Sequence, residues 1–102
     1  PSDLHRQFKS SSESLKKAMS SGEKERISEQ LYGIRHEAQT LRGRLRTLPL
    51  EQRLHVPSIS LMYEEGTRLV EEGMRTNQES KIRMGLEKIE DANRRLGELE
   101  KR

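Results

Sequence analysis

Three histidines, a group of arginines around one corner, several paired carboxylates and one glutamine on an apolar stripe are the residues of this chain with chemistry to offer. His5, His36 and His55 fall on three different segments. No two of them have the four-residue spacing that sets a pair of metal ligands on one helical turn. With no Cys to complete a zinc site, no metal is expected and the histidines read as surface residues. The pairs Glu64-Glu65, Glu71-Glu72 and Glu90-Asp91 lie among Arg and Lys, as on a solvated helix face. General acid and base work needs burial to shift a pKa, and this setting promises none. Gly66, Gly73, Gly85 and Gly97 are scattered over a helical pattern instead of forming a phosphate-cradling run after a strand. No catalytic residue, no cofactor and no enzymatic reaction are expected.

Arg42, Arg44, Arg46 and Arg53 form a sharper constellation. From Arg35 to Arg53 there are five Arg against two acids, Glu37 and Glu51, whereas residues 57–102 carry nine bases against ten acids. Around the corner at Pro49 these guanidinium groups could meet acidic lipid headgroups, phosphates or an acidic helix of a partner. The plainer alternative, which we favour, is a solvated cap: cations near a helix C-terminus complement its dipole for about 0.3 to 1 kcal/mol each. A net charge of +3 and only three aromatics, Phe8, Tyr32 and Tyr63, supply neither a one-sided field nor a stacking platform. A nucleic-acid partner is therefore not expected, while peripheral contact with an anionic membrane stays open.

The elements that position these residues follow from composition and punctuation. The chain has 102 residues, 29% apolar and 36% charged, which suits one domain of slender amphipathic helices with thin seams. The lack of Cys, of a long apolar run and of a signal peptide leads us to expect a cytoplasmic protein with no membrane span. Ser20-Ser21-Gly22-Glu23 reads as a helix end followed by a capping box. Pro49 and Pro57 bracket a second, non-helical connection.

Three segments result. In the first, Leu4, Phe8, Leu15, Ala18 and Met19 share a face, with Ser11 or Ser12 where another apolar residue is expected. The second carries Ile27, Leu31, Ile34, Ala38, Leu41, Leu45 and Leu48 at alternating steps of four and three, the spacing of a heptad seam. The third carries Ile59, Tyr63, Gly66, Val70, Met74, Gln78, Ile82, Gly85, Ile89, Ala92, Leu96 and Leu99. Strict four-three spacing begins at Gln78; before it the steps run mainly in fours. Gly66, Gly85 and Ala92 on this stripe would let a neighbouring helix come close. A buried Gln without a partner loses roughly 1 to 3 kcal/mol, so Gln78 marks either a register-fixing layer or the exposed first turn after a break at Thr76-Asn77.

The short first helix, the second ending "LRGRLRTLPLEQR" and the third beginning "SLMYEEGTRLVEEGMR" resemble the amino-terminal helical region of Vti-type Qb SNARE proteins. The series Gln78, Ile82, Gly85, Ile89, Ala92, Leu96, Leu99 is similar to the central glutamine and following layers of a Q-SNARE motif. That resemblance implies a helix that zips with partner helices in vesicle traffic.

The expected fold is all-α: an antiparallel, up-down-up bundle of three helices with coiled-coil-like seams. The helices are placed at about 3–20, 23–48 and 58–101 of a single domain 1–102, the last continuous or broken into a fourth near Asn77. Because neither Gly nor Pro interrupts residues 75–81, the continuous helix is preferred. Its outer end would then expose Ile82, Ile89, Leu96 and Leu99 together, with Gln78 heading the strip. The function expected from this is a helical adaptor or assembly module that binds a partner helix, or a second copy of the chain, through that strip.

Overall fold

A computed structural model describes residues 3–101, apart from the side chains of Asp3 and Leu45, so the expected place of Leu45 on the seam lies outside the described residues. Among the described residues the chain is all-α with no strand. Four long helices, α1 (Asp3–Ser21), α2 (Lys24–Gly43), α4 (Val56–Thr76) and α5 (Glu79–Lys101), pack side by side. A 3-10 turn (Leu45–Thr47) and the single-turn helix α3 (Leu50–Arg53) connect α2 to α4. The bundle measures 41 × 20 × 19 Å.

The third segment does not run straight. It reverses at Asn77, whose backbone sits in the left-handed region at φ 57°. Asn reaches that region more easily than most L-residues, so a helix can stop there without Gly or Pro. The Gln78 amide returns to the Gly73 carbonyl at 2.8 Å, the six-to-one bond that closes a helix end. The Gln78 carbonyl then accepts the Ile82 amide at 3.3 Å and starts α5. The preferred continuous helix is thus replaced by the four-helix alternative. Thr76 does not cap α5: its hydroxyl donates backward to the Glu72 carbonyl at 2.8 Å.

The arms of this hairpin touch backbone to backbone. A Cβ placed on Gly85 would lie 2.6 Å from the Gly66 carbonyl oxygen and 2.8 Å from the Val70 nitrogen; one on Gly73 would lie 2.8 Å from the Ile82 nitrogen. Buried Val56, Ile59, Tyr63, Gly66, Val70 and Gly73 step by three and four, as do Gly85, Ile89, Ala92, Leu96 and Leu99 opposite them. The four-three register therefore holds through α4 as well, once Gly73 is placed on the seam where Met74 was expected.

The other boundaries move for local reasons. Gly22, at φ 74°, ends α1 with its amide on the Ala18 and Met19 carbonyls. The expected capping box does not form, since the Ser21 hydroxyl donates back to the Ala18 carbonyl and Glu23 makes no side-chain cap bond. Helix α2 stops at Gly43, five residues before the expected end, and α4 begins at Val56 with Pro57 in its first turn, where a missing amide costs nothing.

The sign of a substitution at Asn77 tests the reversal. Asn77→Gly should raise stability by up to about 1 kcal/mol and Asn77→Ala should lower it by about 1 kcal/mol, because Ala pays the full left-handed penalty. In a straight helix Ala would stabilise and Gly destabilise; urea denaturation of the two variants distinguishes these orders.

Candidate interaction surface

The strip expected to be free is covered. Ile89, Leu96 and Leu99 are buried with Ala92 in the common core, against α4 and α1 of the same molecule. Ile82 is half-buried against Gly73, and Gln78 is exposed at the reversal, off the seam. The cause is the turn at Asn77: a continuous third helix would have left its outer half unpartnered, whereas the reversed one lays α5 on α4. The five residues assigned to a partner are thus four internal packing residues and one exposed turn residue.

The arginines also separate. Arg42 donates from Nε to the buried Ser60 hydroxyl at 3.1 Å and pairs with Glu64. One heptad back along α2, Arg35 donates to Thr67 at 3.4 Å and pairs with Glu71 at 3.3 Å. Arg42 therefore belongs to a repeated clamp between antiparallel α2 and α4. A matching ladder joins α4 to α5 through Glu65–Lys88 at 2.9 Å and Glu72–Lys81 at 3.5 Å. Exposed pairs of this kind contribute little energy but fix register. Arg53 turns inward on the connection, donating to the carbonyls of Leu48 at 2.8 Å and Arg46 at 3.0 Å. Arg44 and Arg46 are exposed and make no salt bridge among the described residues.

The connection that carries these arginines also exposes two of the five large exposed apolar side chains among the described residues. Leu50 is 71% exposed and Leu54 76%, one helical turn apart across α3, which buries none of its residues. The other large exposed apolar residues, Tyr32, Leu61 and Met84, stand singly on three separate helices. Leu48 faces the other way and packs on the core. Beneath the connection lies a groove of about 660 Å³ between the helix ends, lined by Leu4, Leu41, Val56 and Leu96 among others. Residues 45–55 thus arch over the end of the bundle, and the Arg53 bonds hold the arch in shape.

The core carries a polar chain that no pattern in the sequence announced. The Tyr63 ring stacks on Phe8 with centroids 4.1 Å apart, and its hydroxyl donates to Asn93 Oδ1. Asn93 Nδ2 donates to the Ser12 hydroxyl at 2.9 Å, which itself donates to the Phe8 carbonyl at 2.8 Å. Ser12 at an apolar position is thereby satisfied. Nearby, Ser11 donates to Glu37 at 2.9 Å, and Glu100 accepts the His5 amide at 2.9 Å near the start of α1. The second carboxylate oxygen of both Glu37 and Glu100 is buried without a hydrogen-bond partner among the described residues. The histidines stay apart: His5 lies over Gly97, His36 stacks on Tyr32 and His55 precedes α4. No group of three or more His, Asp or Glu converges as metal ligands among the described residues. No described helix is long and apolar enough to cross a membrane.

No family model, no curated protein and no solved structure matches this chain.

Burial first, then the negative charges of Glu37 and Glu100, push the Tyr63 pKa far above its usual value of 10.0. The folded state holds this proton more tightly than the unfolded chain, so the associated stability is complete below about pH 10 and is lost as pH rises above it. In a Tyr32→Phe background, phenolate absorbance near 295 nm should appear only together with loss of the helical circular dichroism signal. Phenolate forming while the helices persist would contradict the buried placement.

Proposed function

We propose that this chain is a non-enzymatic helical interaction module, a closed four-helix body that docks its partner through the arch joining α2 to α4. The observation that supports this reading is the pair Leu50 and Leu54, each more than 70% exposed, at the start and just past the end of a helix that buries none of its residues. Neighbouring apolar residues left in water lower solubility and add nothing to a core, so a contact surface is the economical reason for them. Most of the bundle's packing runs between α1, α2, α4 and α5, with the arch joined to it through Leu48 and the helix ends. A partner can therefore be engaged without opening the body.

The Q-SNARE likeness would instead require Gln78, Ile82, Ile89, Leu96 and Leu99 to face helices of other proteins. For that, α5 would have to leave α1 and α4 and give up the close contacts at Gly66, Gly73 and Gly85. Vesicle traffic remains compatible with the module reading, but with docking at the arch in place of the seam.

The tagged chain in a gently prepared cell extract should migrate well above its own 11.9 kDa, and Leu50→Ser/Leu54→Ser should return it to the size of the purified protein with an unchanged melting curve. Migration of the unsubstituted chain at its own mass, or a shift that persists in the double variant, overturns the module reading.

A further inference from the structure

We propose that the occupant of the arch is an anionic lipid surface, met by Leu50 and Leu54 as an apolar wedge with Arg46 at the headgroup level. This rests on the reading of the chain as a module that docks through the arch.

Shape is the first reason. A helix of 20 residues spans about 30 Å, so in a body 41 Å long the connection between α2 and α4 lies at one end of the long axis. The leucines are exposed at that end and do not line the concave groove beneath the arch, whereas Arg44 does. A projecting apolar pair suits insertion into a deformable interface better than a fit against a second rigid surface.

Charge is the second. Residues 44–55 contain Arg44, Arg46 and Arg53 against one acid, Glu51. Arg53 is occupied by the Leu48 and Arg46 carbonyls, which fixes the arch and leaves Arg44 and Arg46 exposed without a salt bridge among the described residues. With Arg44 lining the groove, Arg46 is the exposed guanidinium on the leucine side, and guanidinium beside exposed leucines is the pairing that a phosphate-bearing or carboxylate-bearing headgroup layer recognises. Two leucines and one free arginine give a contact that is weak per molecule and dependent on the anionic lipid fraction, since a single apolar anchor without charge holds only marginally.

Vesicle partition of the full chain tests this. Large unilamellar vesicles of phosphatidylcholine with 30 mol% phosphatidylserine, on the order of the charge that attracts basic segments, are compared with phosphatidylcholine alone. Binding is expected to the anionic vesicles only and to fall steeply with added salt. Arg46→Gln should weaken it about fivefold, and Leu50→Ser/Leu54→Ser by about tenfold or more. The chain has no Trp, so Leu54→Trp supplies a single reporter whose emission should shift to the blue and be quenched by lipids brominated along their chains. No anionic binding, equal binding to both vesicles, binding unchanged in the leucine variant, or a reporter that stays in water overturns the proposal. If the extract shift of the module test survives detergent while the vesicles bind nothing, the partner is a protein: the lipid assignment falls and the module reading stands.

Discussion

The turn at Asn77 and the glycine contacts it permits are the constraint on which the rest of the molecule depends. A hairpin of two helices joined by two residues has little freedom, so the arms must either splay or lie in contact from the first turn. Gly73 removes the Cβ that would strike Ile82, and Gly66 and Gly85 do the same farther along. The arms then approach until backbone meets backbone, which gathers dispersion contacts that longer side chains would hold apart. With α4 and α5 locked, one composite surface remains for α1 and α2 to cover, and Phe8, Leu15, Ile34 and Leu41 are fully buried in doing so.

Polar groups then select one arrangement among the bundles that such seams would tolerate. Apolar seams at steps of three and four are degenerate, because a shift by one heptad buries nearly the same residues. The Arg35 and Arg42 clamps each need a hydroxyl and a carboxylate four residues apart on α4, and Thr67-Glu71 and Ser60-Glu64 supply them in antiparallel order. The chain Tyr63–Asn93–Ser12 ties α4, α5 and α1 at a single level. Sliding any helix would strand a buried hydroxyl or amide, at roughly 1 to 3 kcal/mol for each group. The polar contacts thus contribute register, while burial supplies most of the stabilisation.

The all-α class, the two outer helices and the residues of the core stripes were legible in the sequence, because periodicity of apolar residues reports burial directly. The reversal was not, for two physical reasons. Asn occupies the left-handed region without advertising it as Gly does, and Gly73 is a seam residue that no hydrophobic count registers. Placing Met74 on the stripe spoiled the four-three rhythm of α4, and the absence of Gly or Pro from residues 75–81 favoured one continuous helix. The error then spread to the site: a straight helix implies a bare strip at Ile82, Ile89, Leu96 and Leu99, and a folded one implies none. Of the arginines, spacing along the chain could not separate Arg42, matched seven residues from Arg35 to acids on α4, from Arg44 and Arg46 on the arch. Leu50 and Leu54 were in plain view but did not extend either stripe, and that lack of a place in the core was their signal.

This division of labour bears on how such a small bundle can host an interaction without losing its fold. Residues that stabilise the body sit on the seams, where each is coupled to several neighbours and a change is felt through the packing. The arch is coupled to the body through the Leu48 contact and the helix ends, and its shape is maintained locally by its own turn hydrogen bonds together with Arg53 bonded to two carbonyls. On the proposed reading, substitutions at Leu50, Leu54 and Arg46 would act on docking with little effect on the seams, whereas Arg53, bonded to two carbonyls of the same segment, would act through the shape of the arch. Exposed side chains on such a connection can change while Asn77, Gly73 and Gly85 continue to hold the same body together.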